Sequence, residues 1–333
     1  MASHSPARHE WILVAKGIGI ILVVIGHFDP AESPQYWTDM RAVIYTFHMP
    51  LFFVLSGYLY VHGKYPYGAL IRNKMRRLLY PFATIAVAFA LIKIPAAHFV
   101  RLENPVDPHS ALAILTDPVN SYAPLLWFLQ ALFLIFCIYP PMRSFLDDVA
   151  IFLVCVILDE AFGTRYPVLG RAVGNMPFFV FGILLRENVR LANLLIGRRG
   201  LIVAAGAFAA ACAVQFRGGT FVGAHDYLAA LALGLIGTLL VINCSHAISA
   251  AAANPVRTAL LQAGYYSMTI YILHLLFEGA VRIGFLQLAR HLAVPFLVIA
   301  LIAVTAGVLI PIVLERDLIR KSPLARRLVL GSD

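Results

Sequence analysis

Two residues of the first apolar stretch have side chains that can do chemistry. "KGIGIILVVIGHF", residues 16 to 28, opens on Lys16 and carries His27 beside its end. A lysine offers a charge and three hydrogen-bond donors, and a neutral imidazole offers a lone pair that can accept a proton. They stand eleven positions apart. At 100° per residue that is about 20° past three full turns, so a helix sets both on one face, about 16 Å apart. Ionisable groups inside a membrane helix usually face a bundle interior or a water-filled cavity, and there they mark function. The plainer alternative is that Lys16 snorkels to one interface while His27 ends the helix at the other. Asp29 either orients the His27 imidazole or is a turn residue before Pro30.

Further polar positions have the same character. "YTFHMPLFFVLSGYLY", residues 45 to 60, starts with His48 and places Pro50 near the expected first turn of its helix. Ser56 and Gly57 permit close helix approach deeper in that span. The loop "DPAESPQYWTDM", residues 29 to 40, is short, so the ends carrying His27 and His48 are expected to be neighbours. Its Glu32, Tyr36, Trp37 and Asp39 suit either sugar contact or an ordinary interfacial aromatic belt. His274, Glu278 and Arg282 recur at i, i+4 and i+8 and stack on one helix face. Glu278 and Arg282 can neutralise each other there, and His274 is either structural or a substrate contact. In "RNKMRR", Arg72, Lys74, Arg76 and Arg77 are crowded together. Arginine's planar fork pairs two phosphate oxygens at once, although basic loops also set topology and touch anionic lipid.

The elements that must position these groups are membrane helices. The chain has 333 residues, 61% hydrophobic and 13% charged, about half the charge of a soluble domain. Apolar runs of spanning length recur. Ten spans are expected, at 11–28, 42–62, 78–99, 123–141, 147–162, 168–186, 200–216, 226–244, 264–286 and 293–314. The fifth is crowded at its ends by Asp147, Asp148, Asp159 and Glu160. With the N-terminus inside, most of the 26 lysines and arginines fall in cytoplasmic loops, the bias that sets orientation. Both termini are then cytoplasmic. The fold class is an all-α polytopic membrane protein, a single domain over 1–333 with short tails at 1–10 and 315–333. The net charge of +9 is accounted for by those loops, so no nucleic-acid partner is expected. Cys137, Cys155, Cys212 and Cys244 are widely spaced in apolar segments and read as small hydrophobes. No metal-ligand spacing is present.

These stretches resemble, in order, the motifs of the acyltransferase-3 family of membrane-bound O-acyltransferases. The Lys16-x10-His27 spacing is similar to the family's basic-residue-x10-His motif, and "FHMPLFFVLSGYL" (47–59) to its second-span signature. "RNKMRRLLYPF" (72–82) resembles its basic segment before the third span. "LWFLQALF" (126–133) and "YYSMTIYILHLLF" (265–277) resemble its fourth-span and late-helix motifs. The short chain, with no appended hydrolase-like domain, is most similar to the fucose 4-O-acetylase-like branch.

The resemblance implies transfer of an acyl group, usually acetyl, from acetyl-CoA to a hydroxyl on a cell-surface or lipid-linked sugar or polysaccharide. It implies a catalytic His27 with Lys16 in support, in the plasma (bacterial inner) membrane among its lipids. A hydroxyl is a poor nucleophile, so His27 would act either as general base or as an acyl carrier. The donor's phosphates are expected among Arg72, Lys74, Arg76 and Arg77, with its pantetheine arm passing Lys16. His48, Ser56, Trp127, Gln130, His274 and Glu278 are the expected substrate contacts. The competing reading from another class is a transporter or flippase for a lipid-linked sugar or small metabolite.

Overall fold

The computed structural model describes residues 10–30, 33–99, 104–139, 145–162, 167–217, 220–221, 223, 227–289 and 294–331. The helices, in chain order, are α1 (Glu10–His27), α2 (Gln35–Tyr58), α3 (Tyr67–Lys74), α4 (Tyr80–Ala96), α5 (Pro108–Thr116), α6 (Trp127–Ile138) and α7 (Phe145–Phe162). Then come α8 (Pro167–Glu187), α9 (Val189–Leu195), α10 (Arg198–Gln215), α11 (Tyr227–Ala250), α12 (Pro255–Tyr265), α13 (Ser267–Ala289) and α14 (Phe296–Asp317). A π-helical turn, Met75–Leu79, joins α3 to α4. A two-residue antiparallel bridge pairs Phe216–Arg217 with Thr220–Phe221.

Among the described residues six helices are long and apolar enough to cross a membrane, or eight if each of two bent pairs is one span. The seventh expected span is the pair α9 and α10, bent by 64°, and the ninth is α12 and α13, bent by 87°. The fourth is short, Pro124–Ile138. The fifth forms α7, whose ends carry the four carboxylates noted above. The fold is that of an all-α, multi-pass membrane protein.

Helix α2 begins at Gln35 rather than at residue 42. The Pro34 carbonyl accepts from the Trp37 and Thr38 amides (2.9 and 3.2 Å), so the polar stretch from Gln35 to Arg41 is already helical. Pro50, expected near the first turn, therefore lies in the helix interior. A proline there has no N–H for the carbonyl one turn back, which is that of Thr46. The longer helix also places Arg41, Tyr45 and His48 at i, i+4 and i+7, on one face.

The chain divides into two compact units, Met1–Tyr58 with Leu184–Glu315 and Leu59–Ile183 with Arg316–Asp333. In the first, α1 packs against α2, α11, α12 and α13. Its residues are apolar nearly all round, as a helix surrounded by others requires. The approach of α1 to α12 is closest at two glycines: a Cβ on Gly17 would meet the Leu260 carbonyl, and one on Gly264 the Leu13 carbonyl. Small residues let membrane helices touch backbone to backbone, where dispersion contacts supply the attraction. At the start of both helices, Glu10 and Arg257 form an ion pair of 2.5 Å. In the second unit Tyr60, Phe136, Tyr139 and Phe179 form an aromatic cluster. The Tyr139 hydroxyl donates to buried Asp148 (2.5 Å).

Gly264→Val is expected to force α1 and α12 apart and lower stability by about 1–3 kcal/mol. Thermal unfolding in detergent measures this. An unchanged midpoint would mean that the glycine contact does not hold these helices together.

Candidate active site

The first unit brings His27, His48 and His274 together from α1, α2 and α13. The His27 ring centroid lies 5.1 Å from that of His274 and 6.5 Å from that of His48. Tyr45 adds a ring 5.9 Å from His27 and 4.9 Å from His48. His48 and His274 are buried and His27 is half-buried.

All three imidazoles are held in the same way. Nδ1 of His27 is 2.8 Å from the Val23 carbonyl, and Nδ1 of His48 is 2.9 Å from that of Ile44. Nδ1 of His274 lies 3.0 Å from the Ile270 carbonyl and 2.8 Å from that of Tyr271. A carbonyl only accepts, so each Nδ1 carries hydrogen, and in the neutral ring the lone pair sits on Nε2. Side chains on a helix lean toward its N-terminus, which puts the carbonyl one turn back within reach. The helices themselves thus set the tautomers.

Two of the buried polar atoms in this region have no hydrogen-bond partner among the described residues: Nε2 of His274 and Oε2 of Glu278. They lie one turn apart on α13. Gly307 of α14 packs over both residues, its hypothetical Cβ 3.7 Å from that of His274 and 3.8 Å from that of Glu278. Buried polar groups are nearly always paired, and an unpaired one is costly unless something it binds completes it.

The carbonyls at the end of α1 and just beyond it, on either side of His27, need donors from elsewhere. Nε of Arg41 donates to the Gly26 carbonyl (2.7 Å), the indole N–H of Trp37 to that of Phe28 (2.8 Å), and Arg282 to that of Asp29 (3.3 Å). Arg41 also pairs with the Asp29 carboxylate at 2.5 Å, and its guanidinium lies 5.9 Å from the Tyr45 ring centroid. Asp29 therefore holds Arg41 in the structure. Trp37 is a packing residue, edge-on to Phe28 and Phe296. Tyr36 and Asp39 instead line a cavity of about 460 Å³ with Met40, Ile44, Phe47 and Phe208. Glu32 lies outside the described residues. Arg41 and Tyr45 were not singled out from the sequence. Their spacing to His48 is the signal that would have found them, had α2 been started at Gln35.

Helix α1 is unbroken from Lys16 to His27, so they stand about 16 Å apart along it. Lys16 is half-buried and makes no hydrogen bond or ion pair among the described residues. Ser56 lies eight residues beyond His48, about 12 Å along α2, and does not join the histidines. The remaining expected residues belong to the second unit. There Gln130 donates to the Leu115 carbonyl (2.9 Å), and the Arg171 guanidinium lies 5.6 Å from the Trp127 ring centroid. The Lys74 ammonium sits 3.6 Å from the Phe136 ring centroid, while Arg72, Arg76 and Arg77 are exposed.

The protein is thus a multi-pass helical membrane protein with three imidazoles converging among its helices, their Nδ1 protons tied to backbone. The chain belongs to the acyltransferase-3 family: the family's sequence profile, described as an acyltransferase domain, matches residues 9–316. It is a membrane acyltransferase. Comparison with curated proteins and with solved structures finds no match to this chain.

Arg41→Gln removes a charged donor from a carbonyl beside the site and is expected to cost about 1–3 kcal/mol. Asp29→Asn should cost under about 1 kcal/mol, since its side chain is 55% exposed and exposed ion pairs contribute little. The two melting curves in detergent, compared side by side, check this ranking. Equal losses would show that the ion pair, and not the carbonyl contact, fastens the end of α1.

Proposed function

We propose that this acyltransferase moves an acetyl group from acetyl-CoA to a hydroxyl of a cell-surface or lipid-linked sugar, in the plasma membrane of a bacterium, with His27 at the centre of the transfer. The observation that carries the reading is the shared anchoring of the three imidazoles, which leaves a lone pair on Nε2 of His27 within a buried polar cluster. Each alternative uses that lone pair. As general base, Nε2 takes the acceptor's O–H proton while the oxygen attacks the thioester carbonyl. The tetrahedral intermediate then expels coenzyme A as thiolate, and the imidazolium returns the proton to sulfur. As acyl carrier, Nε2 attacks the carbonyl itself and coenzyme A leaves first, as thiolate; the acceptor hydroxyl then attacks the acetyl-imidazolium, its O–H proton passes by way of water to the thiolate, and Nε2 leaves with its lone pair restored.

The other residues have supporting roles in this reading. His274 and Glu278, each with an atom unpaired, hydrogen-bond the acceptor's hydroxyls. His48 and Tyr45 shape the space around His27. Lys16, an unpaired cation on α1, attracts the donor's polar arm. The phosphates of the donor are assigned to Arg72, Arg76 and Arg77, because exposed guanidiniums are suited to them. With the basic loops placed in the cytoplasm, the donor arrives from that side.

Purified protein supplied with acetyl-labelled acetyl-CoA and a sugar-acceptor extract tests the proposal. His27→Ala should lower coenzyme A release by about 10²–10⁴-fold, and Lys16→Ala should weaken donor use. Label retained on the protein before acceptor is added would select the carrier route. A folded His27→Ala protein that transfers acetyl at the full rate would end this assignment.

A further inference from the structure

Three covered polar atoms of the second unit have no hydrogen-bond partner among the described residues, and the site above uses none of them. They are Oδ1 of Asp117, Oε1 of Gln130 and Nε of Arg171. Buried polar groups are nearly always paired, so each of these calls for an explanation.

The three come from different elements that meet. Asp117 follows α5, and the 3₁₀ turn after it (Pro118–Asn120) brings the Asn120 side chain onto its other oxygen, Oδ2, at 2.6 Å. Gln130, in the first turn of α6, donates through Nε2 to the Leu115 carbonyl (2.9 Å), two residues before Asp117. A carbonyl only accepts, so the amide nitrogen must face it and Oε1 is left over. Arg171, near the start of α8, lays its guanidinium on Trp127, 5.6 Å from the ring centroid. That contact draws on the positive charge and leaves the N–H groups unspent. Trp127 and Gln130 stand at i and i+3 on α6, so they are neighbours on its surface. Asp117 is close enough for its charge to act on Arg171, yet the two form no ion pair among the described residues. A hydrogen bond, a ring contact and a Coulomb attraction thus draw the three side chains to one place.

The atoms left over are two acceptors and one donor. A lipid phosphodiester brings only acceptors and would oppose the carboxylate and the amide oxygen. An ammonium brings only donors and would oppose the guanidinium. A hydroxyl both donates and accepts. Two hydroxyls on neighbouring carbons can donate to Asp117 and Gln130 while one of their oxygens accepts from Nε of Arg171. Sugars carry such pairs. With the basic loops placed in the cytoplasm, α6 and α8 both start at the outer side, where a cell-surface sugar would be met.

We infer that Asp117, Gln130 and Arg171 form a subsite for a pair of hydroxyls on the sugar acceptor. Gln130 was expected as a substrate contact; Asp117 and Arg171 were not singled out. The hydroxyls held here are not the one that is acetylated, so these residues set acceptor affinity and leave the transfer step alone. That the bound sugar is the acceptor rests on the proposed function; that a sugar binds here does not.

Calorimetric titration of the full chain, in a detergent without a sugar headgroup, tests this with the methyl glycosides of glucose, galactose and mannose. Cyclohexanol, glycerol 1-phosphate and phosphoethanolamine serve as comparisons. The unaltered chain is expected to bind at least one glycoside and to bind cyclohexanol, with its single hydroxyl, more weakly. Asp117→Asn turns an acceptor into a donor and should weaken glycoside binding by about 10-fold or more, and Gln130→Leu by about 3–10-fold. In the labelled acetyl-CoA assay both should raise the acceptor KM by similar factors, with kcat and the KM for acetyl-CoA unchanged, a split that a merely structural role would not give. Either variant decides alone if the other melts early. No glycoside binding by the unaltered chain, or full binding by both folded variants, overturns the inference and leaves the acetyl-CoA reading intact. Preference for glycerol 1-phosphate or phosphoethanolamine assigns the site to a lipid headgroup and also overturns it. Glycoside binding that depends on these residues, in a chain that transfers no acetyl group, overturns the proposed function and keeps the sugar site.

Discussion

Inside hydrocarbon every polar group must find its partner within the protein, and that constraint organises this molecule. The three imidazoles satisfy it on one side through their own helices, each Nδ1 donating to a carbonyl one turn back. The carbonyls of Gly26 in the last turn of α1, and of Phe28 and Asp29 just after it, satisfy it through donors brought from α2 and α13: Arg41, Trp37 and Arg282. Because backbone consumes Nδ1, the atom left for chemistry is Nε2, and the fold decides where those nitrogens meet. In this way the demand for satisfied backbone leaves three converging imidazoles with their Nε2 atoms available, as well as a stable helix end.

Close packing sets the frame around that site. Gly17 and Gly264 let α1 and α12 touch through their backbones, and Gly17 immediately follows Lys16. Past Tyr265 the chain turns by 87° into α13, the helix that carries His274 and Glu278. Gly307 leaves α14 without bulk where it crosses those two residues. Each glycine position is a close approach, and together they determine how near the polar face of α13 comes to α1. Tyr45 and His48 then reach the same place from α2, whose early start at Gln35 also carries Arg41 to the end of α1.

Much of this was legible in the residues. The spacing of Lys16 and His27, the short loop bringing His48 near His27, and the i, i+4 relation of His274 and Glu278 were all apparent, because each depends on local helix geometry. Arg41 was not singled out, since the stretch from Gln35 to Arg41 is too polar to be read as part of a membrane helix. The interior position of Pro50 was hidden for the same reason. Ser56, expected deeper in the span than His48, lies about 12 Å from it along α2. The breaks between α9 and α10 and between α12 and α13 were not visible, because hydropathy averages over a bend.

By itself, the sequence determined the class of protein and the face on which each polar residue stands. Hydrophobicity over spanning lengths and the 3.6-residue period are properties of single segments, and they need no knowledge of neighbours. Only the tertiary structure decided that His274 joins His27 from a helix more than two hundred residues later. The same holds for the capping of the end of α1 by Arg41 and Arg282, and for the seating of Arg171 on the Trp127 ring. These are contacts between segments remote along the chain, governed by which surfaces fit and which buried polar atoms must be paired. Such matching is a property of pairs of helices, and no periodicity within one helix records it.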